Sequence, residues 1–163
     1  SRRRPTSRRT PGRACWPSSS RRASAREDAK APVGQDRRAD TFFIATAHAE
    51  GGADASHRGG MPGFVRVESE RDLWMPDYFG NFMFQTLGNL EVDPRAGLLF
   101  VDFETGATLQ LTGEARVLWD DPRIAATPGA ERIVAFRAEE IVETPNAFPF
   151  AWAFEGWSPH NPK

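Results

Sequence analysis

The residues of this chain that could do chemistry are most concentrated in ADASHRGG, residues 53–60. Ser56 beside His57 has the residue types of a nucleophile and its base. Neighbouring residues of a strand point to opposite faces, however, and the surrounding pattern is not the G-x-S-x-G of a nucleophile elbow. We therefore expect no serine-hydrolase site, and the pattern assigns no catalytic residue.

Metal-ligand and nucleotide-binding patterns are missing from the sequence. The histidines, His48, His57 and His160, do not have the spacing of metal ligands, and Cys15 is the only cysteine. Neither G-x-G-x-x-G nor the phosphate-binding loop G-x-x-x-x-G-K-[ST] occurs. The sequence therefore predicts no metal site, no usual nicotinamide-dinucleotide fold and no nucleoside-triphosphate hydrolysis.

Two positions are suited to an oxyanion such as a phosphate. Arg58 precedes two glycines, and a guanidinium forms charge-assisted hydrogen bonds with phosphate oxygens; the alternative is an ordinary solvated arginine. Asn81 lies at the predicted start of a helix, where free N–H groups and the helix dipole meet. Its alternative role is a simple N-cap.

The elements that must position these residues are mostly strands. TFFIATA, residues 41–47, and ADASHRG, residues 53–59, predict a hairpin. RAGLLFVDF, residues 95–103, predicts a strand with large apolar side chains on both faces. We expect one face of that strand to lie in the core of the β fold and the other in a dimer interface.

One helix interrupts the strands. Met83, Leu87 and Leu90 recur at i, i+4 and i+7, and Asp93-Pro94 would end the helix. About six antiparallel strands around one helix predict a mainly β fold, a small closed barrel.

Charge is unevenly divided along the chain. Residues 1–38 hold 12 Lys and Arg against three Asp and Glu, whereas residues 39–163 hold nine against 19. The acidic part argues against nucleic-acid binding, and no apolar run reaches the roughly 18 residues of a membrane helix. A lone cysteine fits a reducing, cytoplasmic location.

The composition also predicts the domain organisation. Residues 1–38, rich in Arg, Ser and Pro, have too little apolar surface to fold and should form a disordered tail, with residues 39–163 as the folded domain. The tail has three possible interpretations: a transit peptide, a basic interaction arm, or translated sequence upstream of the true start.

Residues 80–115, GNFMFQTLGNLEVDPRAGLLFVDFETGATLQLTGEA, together with ADASHRGG and PGFVRV, resemble the pyridoxamine 5′-phosphate oxidase-like family of flavin-binding split barrels. The resemblance spans roughly residues 40–145. It implies a six-stranded antiparallel split barrel with one or two short helices. It also implies a homodimer that binds FMN at the subunit interface, acts on a small-molecule substrate and uses an external electron donor.

The resemblance also implies which residues contact the flavin. Ser56, His57 and Arg58 fall on the strand beside the isoalloxazine ring and phosphate, and Gln110 falls where a strand glutamine reaches the flavin. Residues matching the segment that contacts phosphate and ribityl are Asn81, Met83, Thr86 and Asn89.

The sequence departs from true pyridoxamine phosphate oxidases at two points. No basic residue stands near Thr86, and the C-terminal FAWAFEGWSPHNPK contains no arginine. Oxidation of the vitamin phosphate itself is therefore not expected. The alternatives to an oxidoreductase are a non-catalytic barrel that binds flavin or haem for storage or sensing, or merely dimerises, and a protein that acts on RNA or membranes through its basic tail.

Overall fold

The computed structural model describes residues 21–24, 39–79 and 84–148, with the side chains described from residue 39 onward. This part of the chain contains eight strands and two short helices. In chain order they are β1 (Arg21–Ser24), β2 (Thr41–His48), β3 (Gly52–Gly59), β4 (Arg66–Val67), β5 (Asp72–Tyr78), α1 (Phe84–Val92), β6 (Arg95–Val101), β7 (Thr108–Leu118), α2 (Pro122–Ala126) and β8 (Ala130–Thr144).

All strand pairs are antiparallel, in the order β3-β2-β6-β7-β8-β5-β4, and β1 pairs with β8 beside β5. The predicted mainly β class, with antiparallel strands and one or two short helices, is confirmed. The described sheet has eight strands rather than six because β1 and β4, of four and two residues, add to the longer ones. Residues 21–24, which pair with β8, lie within the predicted tail. The division into a disordered tail and a folded domain stays a prediction.

The core follows from the alternation of side chains along each strand. On β6, Ala96, Leu98 and Phe100 are buried inside the barrel, while Leu99 and Val101 are half-buried on the outer face. The prediction that one face of this strand lies in the core is therefore confirmed. That its other face lies in a dimer interface stays a prediction.

Helix α1 packs against β2, β3 and β7 through its buried residues Leu87 and Leu90, which join the same core cluster as Phe42 and Ile44. The helix ends before Pro94, because proline cannot continue a helix. The carboxylate of Asp93 then accepts hydrogen bonds from Arg95, the first residue of β6. The predicted N-terminal residues of this helix, Asn81 and Met83, lie outside the described residues.

None of the helices described here has the length and apolar character needed to cross a membrane.

Candidate functional site

Strand β3 sends the two neighbours Ser56 and His57 to opposite faces, as predicted. Ser56 is buried in the barrel, whereas His57 lies on the outer face. There its Nε2 shares a hydrogen bond with Thr41 Oγ1, and its ring meets the Phe43 ring edge-on at a centroid distance of 5.6 Å. The two side chains therefore cannot act together as nucleophile and base.

Ser56 instead belongs to a buried polar network that holds α1 against the sheet. Ser56 Oγ and Thr86 Oγ1 are 2.9 Å apart, and Thr86 donates its hydroxyl proton to Asp54 Oδ2 at 2.5 Å. One turn further along the helix, Asn89 Nδ2 donates to Thr46 Oγ1 at 3.0 Å. Three of the predicted site residues, Ser56, Thr86 and Asn89, thus have partners within the protein.

Arg58 shares this inner face but has a different environment. It is only 6% exposed, and its Nε lies 3.8 Å from Asp77 Oδ1 on β5. Its two terminal nitrogens, Nη1 and Nη2, are buried and have no hydrogen-bond partner among the residues that the structure describes. Burial lowers the pKa of Arg58, an effect that the nearby carboxylates of Asp77 and Asp54 oppose. Buried donors without an acceptor are uncommon and destabilise the folded state, so we expect these nitrogens to bind an acceptor.

Asp77 also contacts a second buried arginine. Arg132 is the direct cross-strand neighbour of Asp77 on β8, and its Nη1 lies 3.4 Å from Asp77 Oδ2. The Arg132 guanidinium carbon lies 5.8 Å from the centroid of the Phe84 ring, at the first residue of α1, and 5.1 Å from that of Trp119. Arg132 also pairs with Glu131 through Nη2. The two arginines therefore lie on one carboxylate, close to the start of α1.

The fold does not bring Gln110 close to β3, the strand that carries His57 and Arg58. It lies on the outer face of β7, in a row of cross-strand partners that runs from His57 through Phe43 and Leu99 to Gln110. Three strand spacings separate β7 from β3 in that row, about 14 Å. Gln110 and His57 of one chain are therefore too far apart to hydrogen-bond the same small group.

The outer face around this row is apolar and combines two large side chains with several small ones. Phe43 is 41% exposed at its centre, and Leu99 lies half-buried beside it. Smaller residues on the same face of β2, β3 and β6 are Ala45, Ala47, Ala53, Ala55 and Gly97. Apolar sheet faces of this kind mark association or ligand surfaces.

Sequence reasoning missed four buried polar residues of the site: Thr46, Asp54, Asp77 and Arg132. Strand alternation carried a signal for all four, as two of them illustrate. Asp54 shares the face of Ser56 and Arg58 on β3, and Asp77 shares the face of Leu73 and Met75 on β5. A polar residue in register with buried ones is itself expected to be buried.

No cluster of three potential metal ligands occurs among the residues that the structure describes. The site's polar chemistry is that of guanidinium groups, hydroxyls and carboxylates.

A sequence model of the pyridoxamine 5′-phosphate oxidase family matches residues 35–151. The chain belongs to this family. The match covers every described element except β1, so the resemblance drawn from residues 80–115 and the ADASHRGG stretch is confirmed. No curated protein sequence matches the chain.

Solved structures agree with this family in fold. A single-site variant of HupZ from Group A Streptococcus superposes with a TM-score of 0.54 at 15% identity, covering 67% of this chain and 93% of that one. HutZ, the haem storage protein from Vibrio cholerae, gives 0.48 at 15% identity, with 68% and 88% covered. The FAD-binding protein from Mycobacterium smegmatis gives 0.46 at 14%, with 69% and 90% covered.

Proposed function

We propose that this chain is an FMN-dependent oxidoreductase that acts on a small-molecule substrate. In this proposal, FMN lies along the edge of β3 that faces away from β2, two copies of the chain form a homodimer, and an external electron donor reduces the flavin. Membership of the pyridoxamine 5′-phosphate oxidase family supports a flavin, and the environment of Arg58 supports the phosphorylated form of it.

The observation that carries the proposal is the pair of buried Arg58 nitrogens that have no hydrogen-bond partner within the described part of the chain. A guanidinium presents its N–H groups as a fork that matches two oxygens of a phosphate. The nearby carboxylate oxygen of Asp54 already accepts a hydrogen bond from Thr86, and Asp77 lies on the Nε side of Arg58. The N–H groups on Arg58 Nη1 and Nη2, which these carboxylates do not accept from, therefore fit the oxygens of a phosphate.

The position of β3 supports the placement of the flavin ring. Among the described strands, β3 ends the sheet, with β2 as its only strand neighbour. Alternate backbone N–H and C=O groups of an end strand point away from the sheet, and they suit the donors and acceptors along the edge of an isoalloxazine ring. This edge separates the inner side chain of Arg58 from the outer side chain of His57, so one elongated ligand can reach both.

The outer face supports a homodimer. Gln110 lies too far from β3 to contact that ligand within one chain, but a second copy packed on the Phe43 and Leu99 surface can bring its own Gln110 to the site. Apolar, small-residue sheet faces allow close approach of two backbones. We therefore expect a flavin site shared between two subunits, in which the bound flavin carries out the redox chemistry and these residues bind and orient it.

Anaerobic reduction of the reconstituted protein tests the enzymatic part of the proposal. We expect NADH or NADPH to bleach the bound flavin faster than it bleaches the same concentration of free FMN, and oxygen to restore the colour. Bound FMN that neither donor reduces faster than free FMN would contradict a nicotinamide-driven oxidoreductase and favour a flavin carrier. A protein that takes up haem rather than FMN would contradict the proposal entirely.

A further inference from the structure

Asp77 is the centre of a buried charge cluster that contains two arginines. Its Oδ1 faces Arg58 Nε at 3.8 Å, and its Oδ2 faces Arg132 Nη1 at 3.4 Å. All three residues are less than 9% exposed. Because one carboxylate contacts both guanidinium groups, it holds them close together on either side of it.

The orientation of Arg132 is fixed from several directions. Its guanidinium contacts Asp77 and Glu131, and it lies within cation–π range of the Phe84 and Trp119 rings. Burial is the main cause of the lowered pKa of Arg58, and the positive charge of Arg132 adds to that lowering. Holding two cations at this distance is unfavourable unless anions lie between or beside them.

The carboxylates near Arg58 offset this repulsion but leave its hydrogen bonds unmade. Asp54 accepts a hydrogen bond from the Thr86 hydroxyl, and Asp77 lies on the Nε side of Arg58. In residues 39–79 and 84–148, Arg58 Nη1 and Nη2 have no hydrogen-bond partner. A ligand that reaches Arg58 must therefore supply oxygen acceptors for these nitrogens. A phosphate monoester offers three acceptor oxygens, and its charge of about −1.5 to −2 at neutral pH makes its hydrogen bonds to guanidinium groups charge-assisted.

We propose that Arg132 binds the same phosphate group as Arg58, so that the two arginines on Asp77 form a phosphate-selective site. This inference deepens the proposed FMN site and rests on it. An anion can reach Arg58 only if side chains around it move, because its terminal nitrogens are closed to water. The site then selects FMN over riboflavin, which has the same ring and ribityl chain without the phosphate.

Flavin titrations of the full-length protein test this inference, with flavin fluorescence as the readout and riboflavin as the phosphate-free probe. Replacing Arg132 by Met should weaken FMN binding about ten- to hundredfold, the effect of losing charged hydrogen bonds, and leave riboflavin binding unchanged. A merely structural role for Arg132 would weaken both flavins equally.

Two further variants guard against a folding defect. Arg132→Lys keeps a cation beside Asp77 but loses the planar fork, so it should fold and still bind FMN more weakly than the wild type. Arg137→Met, on the same strand but with its side chain 65% exposed and paired to Asp72, is the matched control and should bind both flavins normally.

The outcomes separate this inference from the proposed function. If the wild type prefers FMN and both Arg132 variants keep that preference in full, Arg132 does not bind the phosphate, while the FMN proposal stands. If the wild type binds neither flavin, the FMN proposal is wrong, and thermal stabilisation by inorganic phosphate decides the arginine site. Stabilisation of the wild type but not of Arg132→Lys would support the site, and no stabilisation of the wild type would overturn it.

Discussion

Arg58 Nε lies 3.8 Å from Asp77 Oδ1, although four strands separate β3 from β5 in the order of the sheet. The sheet is therefore rolled so strongly that its first strand approaches its last long strand. This ion pair joins β3 to β5, and it lies beside the Arg58 nitrogens that we assign to a phosphate. The same contact thus contributes to the closure of the fold and to the candidate site.

Removing the carboxylate of Asp77 should strongly destabilise the protein. Asp77→Ala leaves both Arg58 and Arg132 buried without that counter-charge, and breaking a buried pair in this way typically costs about 3–5 kcal/mol. Urea denaturation measures the loss. Glu114→Ala, which removes a carboxylate of an exposed pair with Arg116, should cost less than about 1 kcal/mol. Equal losses in the two variants would show that the buried cluster has no special role.

The hydroxyl of Thr86 should stabilise the packing of α1 on β3. Thr86→Val keeps the shape of the side chain but removes the donor to Asp54 and the partner of Ser56, so we expect a loss of about 1–3 kcal/mol. The same substitution at the exposed Thr112 is the control and should change stability by less than about 0.5 kcal/mol. A neutral Thr86→Val variant in chemical denaturation would mean that this network does not hold the helix.

A charge on the outer face of β6 should break the proposed dimer. Leu99 is half-buried beside the exposed Phe43, and Leu99→Glu places a carboxylate in the middle of an apolar interface. We expect a monomeric or insoluble protein in size-exclusion chromatography with light scattering. Glu50→Lys, in the exposed β2–β3 turn, should leave the oligomeric state unchanged. A soluble Leu99→Glu dimer of normal stability would place the interface elsewhere.

Local patterns in the sequence predicted much of the fold. Period-two alternation gave the antiparallel strands, and it placed Ser56 and His57 on opposite faces of β3. Helical spacing and Asp93-Pro94 gave α1 and its end. These features depend on neighbours in the chain, which is why the sequence reveals them.

The centre of the candidate site could not be predicted in the same way. Asp77 and Arg132 are 55 residues apart in the chain, and Arg58 approaches Asp77 only because the whole sheet curls. Which residues the rolled sheet brings together depends on the pairing order and register of strands far apart in the chain, which no local pattern encodes. The fold separates Gln110 from His57 by three strand spacings within one chain, so the flavin contact that the resemblance implies for Gln110 stays a prediction.

The most direct test of the FMN proposal is the visible absorbance spectrum of the purified protein after incubation with FMN and desalting. Arg58→Ala is measured beside the wild type, with the exposed Arg116→Ala as the control. We predict flavin bands that the wild type and Arg116→Ala retain and that Arg58→Ala largely loses, while all three proteins stay folded by circular dichroism. A colourless wild type, or flavin bands equally strong in Arg58→Ala, would contradict a phosphate-anchored FMN site at Arg58.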